Sequence, residues 1–301
     1  MKLDFDVIII GAGVAGMTSA IYLKRAGINC CLIEKGMYGG QINLSPKVEN
    51  YPGLIEVSGI ELTSNIFEQV KKLGIEFINS EVVNIDFSKE IKEVFLKDKK
   101  LTSNKVIIAT GRRPKRLEQS NASTLEGKGI SYCAVCDGNF FKDEEVVVVG
   151  GGSSALEEAL YLSNICSKVK VLNRSNNLRA ESYYLNKIKN IENIEVMYNS
   201  KIKELKTNDG ILNSVVILTE KGEQEIFAKG CFVYIGYEPN TELFETIDKT
   251  SEGYIIVDEN KLTNIKGVYA VGDVSKKEVF QLTTAINDGA IAAISCIKDF
   301  I

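Results

Sequence analysis

The chain has 301 residues, of which 45% are apolar and 25% are charged, and its net charge is −4. This length accommodates about two domains with a sizeable core, and so small a charge gives no reason to expect nucleic acid or an anionic membrane as a partner. No apolar run is long enough to span a bilayer and the N-terminus has no signal-peptide pattern, so we expect a cytoplasmic protein.

Histidine is absent from the chain. Its absence excludes Ser-His-Asp hydrolysis, His-paired cysteine proteases and the His-Glu-x-x-His type of zinc enzyme. A general acid or base must therefore be Asp, Glu, Lys, Tyr, Cys or water. We expect no metal site, because four zinc ligands would have to come from scattered cysteines or carboxylates.

The chain opens with a pattern typical of a dinucleotide-binding unit. Asp6–Ile10 is a short apolar run that predicts a buried parallel strand, and a helical pattern covers Met17–Arg25. Between them, Gly11 permits a tight turn, Gly13 lets the backbone approach a pyrophosphate, and Gly16 allows close helix packing. The helix N-terminus then offers N–H groups to the phosphates.

A second predicted strand strengthens this interpretation. The apolar run Cys30–Ile33 ends in Glu34, which follows Gly16 by 18 residues. An acidic residue at this spacing is expected to hold a ribose hydroxyl. Strand, glycine turn, helix and carboxylate together predict a bound dinucleotide rather than an empty turn.

Cys133 and Cys136 form a Cys-x-x-Cys motif, a spacing that closes a small disulfide ring and tunes thiol acidity. We favour a redox-active dithiol over a structural or metal-binding pair, because no second pair exists and two nucleotide motifs flank it. Asp137 could supply a proton to a leaving thiolate, or it could be a turn residue before Gly138. The other cysteines are scattered, and Cys30 and Cys31 are expected to be buried.

The first pattern repeats downstream of the dithiol. Glu145–Val149 predicts a buried strand, Gly150, Gly152 and Ala155 supply a second Gly-x-Gly-x-x-Ala turn, and Leu156–Leu162 predicts a helix. A second nucleotide is the natural ligand of such a turn.

The residues after the next strand, Val169–Leu172, bear on which nucleotide binds. The segment carries Asn173, Arg174 and Arg179 but no carboxylate. Arginines here favour the 2′-phosphate of NADPH over the free ribose of NADH. The alternative is that both arginines are solvated surface charges.

The C-terminal part returns to the first domain. Gly267–Asp273 predicts a strand that ends at Asp273, a candidate to bind a ribityl or phosphate group, and a helix follows over Leu282–Lys298. Lys201–Gly210 and Thr219–Glu225 predict ribbon strands. We predict an α/β protein with two Rossmann-like (three-layer ββα) dinucleotide-binding domains, the second inserted in the first.

These motifs together resemble the low-molecular-weight thioredoxin reductases, FAD-dependent class II pyridine nucleotide-disulfide oxidoreductases. The resemblance runs nearly end to end. It covers, in order, Gly11–Gly16, Gly39–Gln41, Val48–Gly53, Ala109–Gly111, Ser131–Gly138, Gly150–Ala155, Tyr234–Gly236, Pro239–Asn240 and Gly272–Asp273.

The resemblance implies an FAD-binding domain at residues 1–112 and 240–301, with an NAD(P)H-binding domain at 113–239 that carries the dithiol. It implies electron flow from NADPH to FAD, to the Cys133–Cys136 disulfide, and on to a thioredoxin-like protein. It also implies a homodimer, and a second domain that must swing, because a flavin cannot face nicotinamide and disulfide at once.

Motifs and resemblance together predict three groups of site residues. The catalytic group is Cys133, Cys136 and Asp137. The FAD group is Gly11, Gly13, Ala15, Gly16, Glu34, Lys35, Gly40, Gln41, Asn50, Ala109, Thr110, Gly111, Gly272, Asp273 and Gln281. The NAD(P)H group is Gly150, Gly152, Ser153, Ser154, Ala155, Asn173, Arg174 and Arg179.

The chain departs from the family pattern at several places. The usual His-Arg-Arg-x-x-x-Arg is Asn173-Arg174-Ser175 with Arg179, so NADH use stays open. The Arg-Gln expected near the flavin is Phe280-Gln281, and residues 112–126 match poorly. Alternatives within the same fold are a ferredoxin-fed reductase and an oxygen-dependent dithiol oxidase. A redox-sensing flavoprotein is an alternative outside enzymes.

Overall fold

A computed structural model describes residues 3–45 and 47–300 of the chain. It divides into two compact units. The first unit is Met1–Arg113 with Glu238–Ile301, and the second is Pro114–Tyr237. The chain leaves the first unit and returns to it along two short strands, β7 (Arg112–Pro114) and β16 (Tyr237–Pro239), which pair with each other. The expected α/β class is confirmed.

The first unit is built on a sheet with the strand order β3-β2-β1-β6-β5-β4, and β17 pairs with β6. β1, β2, β3, β6 and β17 are parallel, whereas β4 and β5 are antiparallel to their neighbours. Its strands are β1 (Phe5–Ile10), β2 (Cys30–Glu34), β3 (Glu76–Asn79), β4 (Val82–Asp86), β5 (Lys92–Leu96), β6 (Lys100–Ile108) and β17 (Val268–Ala270). Its helices are α1 (Val14–Arg25), α2 (Gly59–Lys72) and α6 (Leu282–Lys298).

The core of the first unit lies on both faces of this sheet. Ile9 belongs to the cluster that packs under α1 and α6, and Ile8 to the cluster on the opposite face. Both side chains are fully buried, which explains why β1 is a continuous apolar run without alternation. Small residues let α1 and α6 approach closely, since a Cβ on Gly289 would lie 2.3 Å from the carbonyl oxygen of Ala15.

The second unit has a parallel sheet in the order β11-β10-β9-β15-β8 and an antiparallel ribbon of β12, β13 and β14. The predicted ribbon is present, but Thr219–Glu225 is not one strand, because the turn between β13 and β14 lies within it. Its strands are β8 (Ile130–Ser131), β9 (Glu145–Val149), β10 (Lys168–Leu172), β11 (Ile194–Met197), β12 (Lys201–Asn208), β13 (Ile211–Thr219), β14 (Gly222–Phe227) and β15 (Gly230–Val233). Its helices are α3 (Ala134–Asp137), α4 (Ser153–Ser163) and α5 (Ser182–Ile188).

Element boundaries differ from the predicted ones in two ways. α1 and α4 begin three residues earlier than their apolar patterns, because Gly13 and Gly152 are extended N-cap residues and the helix starts inside each glycine motif. The strand predicted over Gly267–Asp273 is wrong in length. It covers only Val268–Ala270, since Gly272 has φ +71° and turns the chain into a short 3-10 helix.

Among the described residues, no helix is both long enough and apolar enough to cross a membrane.

Candidate active site

The first glycine turn joins β1 to α1. Gly11 has φ +108°, and a Cβ there would lie 2.3 Å from the carbonyl oxygen of Ala109, at the end of β6. Gly16 is equally crowded, since its Cβ would lie 2.0 Å from the carbonyl oxygen of Gly11. Gly13 is different, because a Cβ there would meet nothing within 4 Å. Gly11 and Gly16 are thus required by packing, and Gly13 leaves an open cradle above the turn.

Glu34 lies at this turn. Its Oε2 accepts a hydrogen bond of 3.0 Å from the N–H of Ala12, and its Oε1 accepts one of 3.0 Å from the N–H of Gly36. Gly40 also lies close, since a Cβ on it would be 3.4 Å from the Cα of Gly13. Lys35 is exposed, with its Nζ 3.9 Å from Glu81. The structure therefore brings Glu34 and Gly40 to the glycine turn, as expected of a nucleotide site.

Two more predicted residues, distant in sequence, meet at the surface of this unit. Asn50 Nδ2 donates to Gln281 Oε1 at 3.3 Å, and Gln41 donates to the backbone carbonyl of Arg112. Gln281 is also the N-cap of α6, with a reciprocal hydrogen-bonded cap to Thr284.

Thr110 and Gly111 are fastened to Asn240. Thr110 Oγ1 donates to the carbonyl of Asn240 at 2.8 Å, and Asn240 Nδ2 donates to the carbonyl of Thr110 at 2.8 Å. The N–H of Asn240 donates to the carbonyl of Gly111 at 3.0 Å. Thr110 and Gly111 therefore tie together the two chain segments that leave and re-enter the first unit.

The Gly272–Asp273 turn rests on a buried charge that the sequence analysis missed. The N–H of Gly272 donates to Asp288 Oδ2 at 3.2 Å. Asp288 is 4% exposed, and both Lys261 and Lys277 pair with its carboxylate. A charged residue on the small-residue face of α6 was the available signal, since buried charges are rare unless paired.

The dithiol forms a closed disulfide between Cys133 and Cys136. Cys133 is the N-cap of α3, and Cys136 is the more exposed of the two. Ser131 Oγ accepts from the N–H of Cys133 at 3.0 Å, while the Tyr234 hydroxyl accepts from the N–H of Ala134 at 3.0 Å. Tyr234 lies in the segment after β15. The motif is therefore held by a hydrogen bond from a distant part of the chain as well as by its own disulfide.

Asp137 is the last residue of α3, and its Oδ2 accepts a hydrogen bond of 2.6 Å from the hydroxyl of Ser131. The turn reading of Asp137 and Gly138 is not supported, because Gly138 has φ −54° and continues into a 3-10 helix. Packing leaves little room for a side chain at Gly138, since a Cβ there would lie 3.1 Å from Leu162 of α4. The role of Asp137 as proton donor stays a prediction.

The second glycine turn repeats the geometry of the first. Gly150 has φ +145°, and a Cβ there would lie 2.3 Å from the carbonyl oxygen of Tyr234 and 3.1 Å from Ala155. Gly152 is extended and open, since a Cβ on it would meet nothing within 4 Å. Ser153, which starts α4, accepts from the N–H of Glu181 at 3.0 Å, and Ser154 beside it is exposed. The second unit therefore carries a second open cradle.

The segment after β10 closes over this turn. Asn173 is buried, and its Nδ2 donates to the carbonyls of Ser175 and Asn177, each at 2.9 Å. The N–H of Arg179 donates to the carbonyl of Gly151 at 2.7 Å. Asn173 thus shapes the loop from inside, while Arg174 and Arg179 are exposed beside the cradle.

Glu158 on α4 is a second residue that the sequence analysis missed. Its Oε2 is buried and has no hydrogen-bond partner among the described residues. Burial, reinforced by the neighbouring Glu157, raises the pKa of Glu158 to about 8. Its signal in the sequence was a glutamate between apolar helix positions such as Ala155 and Leu162.

The remaining cysteines are buried thiols, as expected of Cys30 and Cys31. Burial raises the pKa of Cys30 to about 11 and that of Cys31 further, so neither is a thiolate near neutral pH. Within residues 3–45 and 47–300, no three His, Cys, Asp or Glu side chains are grouped so as to hold a metal ion.

Comparison with known proteins identifies the family. The model of the pyridine nucleotide-disulphide oxidoreductase family matches residues 5–289. The thioredoxin reductase of Bacillus subtilis is 41% identical over 294 residues, which are 97% of this chain and 93% of that protein. The chain belongs to this family. Its resemblance to the thioredoxin reductases is thereby confirmed.

Solved structures of thioredoxin reductases have the same fold. The enzyme of Lactococcus lactis superposes with a TM-score of 0.94 and 38% identity, covering 98% of each chain. The enzyme of T. acidophilum superposes with a TM-score of 0.93 and 32% identity, covering 99% of each chain. The predicted pair of Rossmann-like folds is therefore confirmed.

Proposed function

We propose that this chain is an FAD-dependent thioredoxin-disulfide reductase that takes its electrons from NADPH. The closed Cys133–Cys136 disulfide, with Cys136 exposed, carries this proposal. A solvent-accessible disulfide in the same unit as an open nucleotide turn is suited to receive electrons and pass them to another protein.

The first unit fits FAD, and we assign it that cofactor. Gly13 leaves space for a pyrophosphate where any side chain would intrude. It is also the N-cap of α1, whose first N–H groups are available to a phosphate. Glu34 is held at the turn, where its carboxylate can also accept a ribose hydroxyl. Asn50, Gln281 and Asp273 are the further polar groups of this site. When bound, FAD would accept a hydride and deliver two electrons to a disulfide.

The second unit fits a nicotinamide nucleotide, and we assign it NADPH. Gly152 leaves the same open cradle before α4. Arg174 and Arg179 are exposed on the segment that Asn173 shapes and that is anchored to Gly151. Two guanidinium groups there would pair with a 2′-phosphate, whereas a ribose without phosphate gains nothing from them. NADH is the weaker donor on this account.

The dithiol chemistry needs only the motif itself and a proton source. A thiolate of the reduced pair attacks the partner's disulfide, and the released partner sulfur takes a proton. The remaining thiol of the pair loses its proton and attacks the mixed disulfide, which re-forms the Cys133–Cys136 bond and frees the partner's dithiol. Asp137, held by Ser131, is the nearest acid in sequence for these proton transfers.

The natural partner in this proposal is a thioredoxin-like protein that offers an exposed disulfide. We further propose that the chain acts as a homodimer in the cytoplasm. A sedimentation measurement of the holoprotein at low micromolar concentration tests the dimer, which a monomer at all concentrations would refute.

The function is tested by replacing each motif cysteine with serine in the FAD-loaded protein. Cys133→Ser and Cys136→Ser should keep flavin reduction by NADPH and lose thioredoxin reduction to the background rate. Cys166→Ser is the matched control, because Cys166 is a buried free cysteine of the same unit and should leave both activities unchanged. Wild-type thioredoxin reduction by both motif variants would refute the proposal.

A further inference from the structure

Arg112 makes a contact that no glycine motif explains. It begins β7, in the stretch where the resemblance to the family is weakest, and it reaches across to the Gly272–Asp273 turn. Its Nε lies 3.1 Å from Asp273 Oδ2 in an ion-pair contact that lacks hydrogen-bond geometry, and the two side chains are 17% and 23% exposed. The pair therefore lies largely out of water, where an ion pair is screened less than at the surface.

Two other contacts fix the position of Arg112. The centre of its guanidinium lies 4.3 Å from the ring centroid of Phe280, a cation–π distance. Its backbone carbonyl accepts a hydrogen bond from the side chain of Gln41. Phe280 in turn contacts Tyr254, with ring centroids 5.3 Å apart. Gln41 thus anchors the backbone of Arg112, and the Phe280 ring holds its guanidinium, so the side chain loses little further freedom when it pairs with a carboxylate.

The charges around Asp273 show what Arg112 does. Burial raises the pKa of Asp273, and Asp288 on α6 acts in the same direction. Arg112 is the strongest opposing influence, followed by Lys277. Lys277 is already paired with Asp288, whose other oxygen is 2.8 Å from Lys261. Arg112 is therefore the stronger of the two cations that lower the pKa of Asp273 against the effect of its burial.

We propose that Arg112 is a positioning residue of the cofactor site, which holds the Asp273 carboxylate in place as the hydrogen-bond acceptor for a hydroxyl of bound FAD. This inference rests on the proposed function, since it requires FAD in the first unit. The family pattern has an arginine where this chain has Phe280. In this proposal Arg112, which contacts Phe280, supplies the guanidinium instead. Without Arg112, the pKa of Asp273 would rise further, and its carboxylate would lose the cation that faces it.

The test is FAD binding to the apoprotein as a function of pH. Arg112→Gln should weaken FAD binding about tenfold to a hundredfold near neutral pH, the range for loss of a charge-assisted interaction. FAD affinity falls as pH drops through the pKa of Asp273, and this fall should begin at higher pH in Arg112→Gln than in the wild type. Arg112→Lys should restore most of the affinity and the wild-type pH profile.

Arg113→Gln is the matched control. Arg113 is the next residue, and it pairs with Glu238 at 2.8 Å and with Glu242 instead of Asp273. The Arg113→Gln protein should bind FAD with the affinity and pH profile of the wild type. In an Asp273→Asn background, Arg112→Gln should cause little further loss, which separates positioning from general damage to the fold.

Two outcomes overturn the inference. One is an Arg112→Gln protein whose FAD affinity and pH profile equal those of Arg113→Gln. The other is an equal loss from Arg112→Gln with and without Asp273→Asn, which would show that Arg112 does not act through Asp273. Failure of the wild-type protein to bind FAD is a different result and refutes the proposed function itself.

Discussion

The open space at Gly152 leads to a prediction that separates folding from nucleotide binding. Gly152 is extended, with φ −95° and ψ 177°, and a Cβ there would touch nothing within 4 Å. Gly152→Ala should therefore change the stability of the apoprotein by less than about 1 kcal/mol. Alanine has less freedom to lose on folding, which favours the variant, but it is a poorer N-cap residue than glycine, which opposes that gain.

The same substitution should damage NADPH binding. The added methyl group fills the space through which a pyrophosphate approaches the N–H groups of the turn. Loss of one charge-assisted hydrogen bond costs about 1.5–3 kcal/mol, which is about tenfold to a hundredfold in Kd. Thermal melting of the apoprotein and fluorescence titration with NADPH measure the two effects separately.

Gly150→Ala is the contrasting variant. Its Cβ would lie 2.3 Å from the carbonyl oxygen of Tyr234, and φ at this residue is +145°, so it should melt well below the wild type. The reasoning is refuted if Gly152→Ala binds NADPH like the wild type, or if it is destabilised as strongly as Gly150→Ala.

Three further substitutions test other parts of the account. Arg174→Gln and Arg179→Gln should each raise the KM for NADPH about tenfold or more and leave that for NADH unchanged, whereas equal effects on both nucleotides would contradict the 2′-phosphate assignment. Tyr234→Phe removes the acceptor for the N–H of Ala134 and should lower the free energy of unfolding by about 1–3 kcal/mol. A melting temperature equal to that of the wild type would refute this prediction. Glu158 keeps a proton in the folded state up to about pH 8, while in the unfolded chain it releases that proton near 4.5, so the free energy of unfolding should fall across this range. Glu158→Gln should remove that fall. The prediction is wrong if the difference in melting temperature between Glu158→Gln and the wild type is the same at pH 5 and at pH 8.5.

The sequence predicted best what depends on short, local segments. The runs Val7–Ile10 of β1 and Val146–Val149 of β9 contain only apolar residues, and each is followed by a turn whose first glycine has positive φ. Chain order alone then brings the glycine turn, the helix N-terminus and Glu34 together. α6 was likewise readable from its apolar and small residues, within the bounds observed.

The contacts that the sequence did not predict join residues far apart in the chain. Arg112 and Asp273 are paired by the return of the chain to the first unit, and Asp288 reaches Gly272 only because α6 packs close by. Glu158 Oε2 is buried because other elements cover α4. Such contacts follow from tertiary packing, and no periodicity in the local sequence encodes them.

An anaerobic titration of the FAD-loaded protein with NADPH tests the central claim most directly. A flavin and a disulfide that exchange electrons take up about two equivalents of NADPH before excess nucleotide accumulates, since each accepts two electrons. Cys133→Ser should take up about one equivalent, because only the flavin remains. Bleaching of the wild-type flavin after a single equivalent, with the disulfide intact by thiol titration, would contradict electron transfer through Cys133–Cys136. No bleaching by NADPH or NADH would contradict the nucleotide assignment and favour a ferredoxin-fed reductase or a dithiol oxidase.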